Sequence, residues 1–208
     1  MSKRLIVAVD HQLMLEAFVR LLSDDFEVVA AVTSGQALLR EAGRLRPEAI
    51  VLDLATEMNV VETTRRLRSE VPYAKVVVVT QHLSRADAHA AFAAGATAYV
   101  AKQSTASELF YALRLAIDGR YYVTPLVGLK ATHAGTSPEL LFAERLTSRQ
   151  REVLQLIAEG KTTKEIAAVL RISVKTAEFH RARLMDELGL RTIAELTRYA
   201  LTLASLSS

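Results

Sequence analysis

The chain has 208 residues, half of them hydrophobic, with 24% charged residues, a net charge of +3 and no cysteine. That is enough apolar material for a real core and most simply for two domains, and it excludes both a disulfide framework and a thiolate metal site. Residues 1–125 hold 14 Lys+Arg against 14 Asp+Glu and residues 126–208 hold 12 against 9, so the cationic excess belongs to the C-terminal part, as a nucleic-acid contact requires.

The N-terminus MSKRLIVAVDH reaches Asp10 after five apolar residues, too few for a signal-peptide core. No window is apolar enough to span a membrane, because Asp87, His89 and Gly95 break the Ala-rich run 86–101, and a soluble cytoplasmic protein is expected. From Arg4 to Gly119 five short apolar runs alternate with helical patterns: Leu5 to Val9, Val28 to Val32, Ala49 to Leu52, Val76 to Val79 and Ala98 to Val100. Their continuous hydrophobicity suits strands buried on both faces, predicting a doubly wound α/β domain with a parallel sheet. Pro47 and Pro72 stop helices before two of the strands, and Gly95 and Gly119 stand where helices end.

In such a sheet the site lies beyond the carboxyl ends of the strands. Asp10, Asp53, Thr80 and Lys102 occupy those places, and two acids, a hydroxyl and an amine in one crevice suit phosphoryl transfer. Singly, each has an ordinary explanation as a helix cap, a strand-end hydroxyl or a surface cation. Four at matching strand ends are harder to assign to chance.

Between Arg120 and Arg145 periodicity fades and Pro125, Gly128, Gly135, Ser137 and Pro138 appear, predicting a tether of about 20 residues with a short helix at Leu140 to Phe142. Such a tether would let two domains dock or separate. Beyond it, Thr147 with Gln150, Thr162 with Glu165 and Thr192 with Glu195 form capping boxes, and Ser173 caps a helix from Val174 to Leu188. The tight pair of helices Lys164 to Leu170 and Val174 to Leu188 predicts a helix-turn-helix within a small four-helix domain. In the second helix Val174, Ala177, Leu184 and Leu188 are expected to face the core. The opposite stripe of Lys175, Glu178, Phe179, Ala182 and Asp186, flanked by Arg181 and Arg183, suits a major groove. A charged stripe alone is more often a solvated face, but Phe179 and Ala182 gain nothing from water. The last helix places Ile193, Leu196, Ala200 and Leu203 on one face, for packing within the domain and in part against a second subunit.

The motifs LTSRQREVL, G-x-T-x-K-E-I-A at Gly160 to Ala167 and I-S-x-K-T-A-x-F-H-R-A-R-L-M resemble the C-terminal DNA-binding domain of the LuxR/FixJ class. By that resemblance Lys164, Lys175 and Thr176 would contact the DNA backbone, and Glu178, Phe179 and Ala182 would read bases. Arg181 and Arg183 could contribute and His180 could touch a phosphate. The series Asp10, Asp53, Thr80, Tyr99, Lys102 resembles the receiver domain of bacterial two-component response regulators, and the joined order resembles the NarL/FixJ subfamily. The resemblance implies a flavodoxin-like (βα)5 receiver over 1–120, a linker over 121–145 and a LuxR-type helix-turn-helix domain over 146–208. It implies Asp53 as phosphoacceptor, Asp10, Asp53 and the Ala55 carbonyl as Mg²⁺ ligands, Thr80 and Tyr99 as a switch pair, and Lys102 as phosphate partner. The implied partners are promoter DNA, a sensor histidine kinase and a second copy of the chain.

Three positions depart from the receiver pattern. Val9 replaces the first of two adjacent acids, and Glu57 and Val61 replace a proline and a glycine after the acceptor. Carboxylate count governs affinity for a hard cation, so Mg²⁺ is expected to bind weakly. Two readings stay open: a receiver phosphorylated at Asp53, and one that works without phosphorylation through a partner or small molecule. An aspartyl-nucleophile phosphatase is disfavoured because the acid it uses two residues after the nucleophile is Ala55 here, so no enzyme activity is expected. A third possibility is an interaction protein in which DNA binding is secondary. The five histidines lack metal-ligand spacing.

Overall fold

The computed structural model describes residues 2–53, 60–127, 137–143 and 146–206. Contacts between Cα atoms divide the chain into two compact units, Met1–Thr136 and Ser137–Ser208.

The first unit is a parallel sheet in the order β2-β1-β3-β4-β5-β6. Its strands are β1 (Lys3–Val9), β2 (Phe26–Val32), β3 (Ala49–Asp53), β4 (Lys75–Thr80), β5 (Ala98–Ala101) and β6 (Tyr122–Val123). Between them run α1 (Gln12–Leu22), α2 (Gly35–Leu45), α3 (Val60–Glu70), α4 (Arg85–Ala94) and α5 (Ala106–Ile117). Four of the five continuous apolar runs are inner strands, with all five residues of β3 and all four of β5 buried, whereas the run Val28 to Val32 lies in the edge strand β2 and is only partly buried, because one side of that strand has no neighbour. Because side chains alternate across a strand, Leu5, Val7 and Val9 join Leu15, Leu22, Leu109 and Leu113 of α1 and α5 on one face.

The sheet has one strand more than the (βα)5 pattern predicts, and that strand corrects the linker expected over 121–145. Tyr122 N donates to Thr97 O at 3.1 Å and Thr124 N to Tyr99 O at 2.9 Å, so β6 extends β5. A two-residue strand among turn formers has no length over which a period can show, which is why it reads as tether. At the other end of the stretch, α6 (Pro138–Ala143) belongs to the second unit. There Phe142 is buried and Tyr199 donates to the Glu139 carbonyl at 2.6 Å. Burial pushes the Tyr199 phenol up.

The second unit continues with α7 (Ser148–Ala158), α8 (Thr163–Leu170), α9 (Val174–Leu188) and α10 (Ile193–Leu206). Thr147 with Gln150 and Thr162 with Glu165 form full capping boxes, and Thr192 with Glu195 exchange the same two bonds at 3.0 and 3.2 Å. The Thr162 amide keeps Glu165 below the usual carboxylate range, and the Arg191 amide, donating at 2.7 Å, together with that of Thr192 does the same for Glu195. Ser173 accepts from Thr176 N at 3.0 Å and starts α9. The turn before it places Arg171 in the left-handed region at φ 52°.

One core expectation needs correction. Val174, the first residue of α9, is 40% exposed, while Ala177, Leu184 and Leu188 are fully buried as predicted. On α10 Leu196 and Ala200 are buried while Ile193, at the helix start, is 58% exposed and Leu203 is partly covered, so that face packs only in part within the unit.

Candidate functional site

The strand ends bring the predicted acids, hydroxyl and amine into one crevice. Val9 and Asp53 are register partners across β1 and β3, and Asp10 N donates to Asp53 O at 3.3 Å, which sets the two acids side by side. From the next strand pair, Lys102 N donates to Thr80 O at 2.7 Å and fixes the start of the β5–α5 loop. The Lys102 ammonium then stands 2.8 Å from Asp53 Oδ2. The distance makes an ion pair with the buried carboxylate.

Asp53 is only 4% exposed. Burial raises its carboxyl above the usual range, Lys102 opposes that shift, and the nearby Asp10 charge adds to it. Asp10 is itself held by His11, whose Nδ1 lies 2.6 Å from Oδ1. Val9 is fully buried and packs in the apolar layer with α1 and α5, so the place of the missing acid is filled by core. Ala55 and Glu57 lie outside the described residues. Among the described residues no group of three His, Asp or Glu side chains could hold a metal ion.

Thr80 and Tyr99 meet at His82. Thr80 Oγ1 accepts from His82 N at 3.0 Å, and the Tyr99 hydroxyl donates to His82 O at 2.7 Å. Burial, reinforced by Asp87 and partly offset by a hydrogen bond from Thr80, pushes the Tyr99 phenol up to about 12. Tyr99 is therefore a neutral donor throughout the ordinary pH range. His82 is the residue that sequence reasoning missed, and it works through its backbone, which no side-chain pattern can signal.

The second candidate site is the outer face of α9. Lys175, Thr176, Glu178, Phe179, Ala182 and Arg183 are exposed there, Phe179 at 60%, and Lys164 is exposed on α8. His180 is partly covered, with its ring 6.0 Å from that of Phe179. Arg181 differs from its neighbours, since its guanidinium donates to Thr163 Oγ1 and ties α9 to the first turn of α8. Arg149 of α7 donates to the Leu170 carbonyl at 2.9 Å and ties α7 to the end of α8. A rigid helix pair thus presents an apolar ring and cations outward. No described helix is long and apolar enough to cross a membrane.

Residues 5–114 match the family model for the response regulator receiver domain, and residues 144–200 match that for bacterial regulatory proteins of the luxR family. The chain belongs to the response regulators, in the class that joins a receiver to a LuxR-family regulatory domain. Among curated relatives, response regulator protein VraR of Staphylococcus epidermidis is 29% identical over 203 residues, covering 96% of this chain and 97% of the relative. VraR of Staphylococcus aureus has the same identity and coverage. Among solved structures, the RcsB–DNA complex shares the fold with a TM-score of 0.59 at 24% identity, covering 99% of this chain and 100% of that one. A LuxR-family response regulator from Aurantimonas sp. SI85-9A1 gives 0.57 at 29% identity, over 62% of this chain and 94% of that one.

Proposed function

We propose that this response regulator controls transcription by docking α9 in the major groove of promoter DNA as a dimer, under the control of a receiver that takes a phosphoryl group on Asp53. The observation that carries the DNA reading is the exposed Phe179 on a helix flanked by Lys175 and Arg183 and held from behind by Arg181. Lysines would bond phosphates, Glu178 would accept from a cytosine amine, and Phe179 and Ala182 would press on thymine methyls. The fold relative RcsB is seen as dimers on DNA, which supports the same arrangement here. Mobility shifts on duplex DNA over a salt series test it: binding should weaken steeply with salt, and no shift at low salt would return the chain to an interaction role.

In the receiver, Asp53 is the nucleophile by position: buried at the end of β3, with Lys102 placed to bond the oxygens it would acquire. Asp10 and Asp53 suit a hard cation in kind, and Mg²⁺ bound there would neutralise charge on a transferring phosphoryl group. Val9 offers no third carboxylate and one Asp10 oxygen is committed to His11, so affinity should be low. A cognate sensor histidine kinase is the expected donor. The same two observations favour a second reading, in which the receiver acts without phosphorylation. Intact mass after incubation with Mg²⁺ and a small phosphodonor separates them: a phosphate-sized gain absent from Asp53→Asn supports the first. No gain, with a kinase as well as a small donor, supports the second.

A further inference from the structure

The sixth strand does more than close an edge. Thr124, fully buried just after β6, donates its hydroxyl to Glu108 Oε1 at 2.6 Å. Its proton is thereby committed, so Ser104, 3.2 Å away, must be the donor in the contact between the two hydroxyls. Tyr122 donates to the same Glu108 oxygen at 2.9 Å. Ser104, Thr124 and Glu108 form one directed chain, in which each bond polarises the next.

Both ends of the chain matter. Ser104 sits two residues after Lys102, in a loop pinned by Ser104 N donating to Ala101 O at 3.0 Å. Glu108 belongs to the first turn of α5, where Thr105 accepts from its amide at 3.3 Å. The carboxylate that such a Thr-x-x-Glu start would turn back to its cap is given to β6 instead. Thr124 also bonds the backbone of Tyr99 and leads directly into the 3₁₀ turn Pro125–Val127, from which the chain runs on to the second unit.

We propose that Thr124 is a positioning residue: through Ser104 it sets the loop that aims Lys102 at Asp53, and it ties that setting to the segment leading to the DNA-binding unit. Opening the Asp53–Lys102 pair would free the loop, weaken the Ser104–Thr124 bond and loosen β6 from β5. The reverse must hold too, since coupling between two sites is reciprocal. The proposal rests on the reading of Asp53 and Lys102 as the receiver's site, but its test does not require phosphorylation.

The test uses the full chain. Amide exchange of Tyr122, Thr124 and Val127, normalised to β1 amides, is compared between the native protein and Asp53→Asn. Acylation of the Lys102 amine, normalised to Lys161, is compared between the native protein and Thr124→Val. Loss of one hydrogen bond corresponds to roughly five-fold, so Asp53→Asn should speed Thr124 exchange and Thr124→Val should raise Lys102 acylation by about that factor. Should Thr124→Val fail to fold, Ser104→Ala breaks the same link while leaving the β6 backbone bonds. Unchanged exchange in Asp53→Asn, or unchanged acylation in Thr124→Val or Ser104→Ala, overturns the proposal. A chain that takes no phosphate yet shows both changes keeps it and discards the phosphorylation reading. A phosphorylated chain showing neither does the opposite.

Discussion

The receiver crevice and the outer face of α9 solve opposite problems. In the crevice Asp53, Thr80 and Tyr99 are each less than 10% exposed and are held by neighbours from three strands. On α9 the candidate residues are mostly exposed, come from fifteen consecutive residues, and leave their outer ends to solvent. A site that makes or holds a phosphoryl bond gains from burial, because low dielectric strengthens each charge interaction. A site that binds DNA gains from exposure, because its partner brings the opposing charge. The cost is set accordingly: the crevice carries a raised carboxyl, while α9 depends on its buried back of Ala177, Leu184 and Leu188 to hold its place.

That back is where the largest effect is expected. Leu184 is fully buried beneath α9, and Leu184→Ala should cost about 2–5 kcal/mol, melting the second unit in a separate calorimetric transition while the first keeps its own. A single transition that moves as a whole would show that the two units fold together. Next come the exposed residues. Phe179→Ala should relax sequence preference by about 1–3 kcal/mol at the bases it touches, whereas Lys175→Ala should weaken binding to every sequence and lower the salt slope by about one. If Lys175→Ala leaves affinity and slope unchanged, α9 is not docked as proposed.

The crevice should respond to pH in the reverse sense from an ordinary paired acid. Asp53 has its carboxyl raised in the fold, so it is the ionised form that folding disfavours, and stability tied to this group is lost as pH rises through its folded value. Asp53→Asn should therefore raise the melting temperature at pH 7. The gain should shrink below about pH 4, where the acid is protonated in both states. A lower melting temperature at pH 7 would mean that the Lys102 pair outweighs burial. The smallest effect lies in the turn between α8 and α9: Arg171→Gly should relieve the left-handed backbone and stabilise the second unit by up to about 1 kcal/mol in a urea titration.

Local and periodic features are legible in the residues alone. Buried strands appear as unbroken apolar runs, the caps Thr147, Thr162, Ser173 and Thr192 announce helices within four residues, and α9 shows its outer face at one spacing. Asp53 and Lys102 could be proposed as neighbours because a parallel sheet gathers the ends of its strands on one side. Tertiary structure alone decided the rest. Whether Val174 is buried depends on which helices pack against the start of α9, and whether Arg181 faces outward or ties α9 to Thr163 depends on where α8 lies. His82 joins Thr80 to Tyr99 through backbone atoms that every residue carries. β6 is two residues long and exists only because β5 offers an unpaired edge and Glu108 a carboxylate, both of them set in place by other parts of the chain.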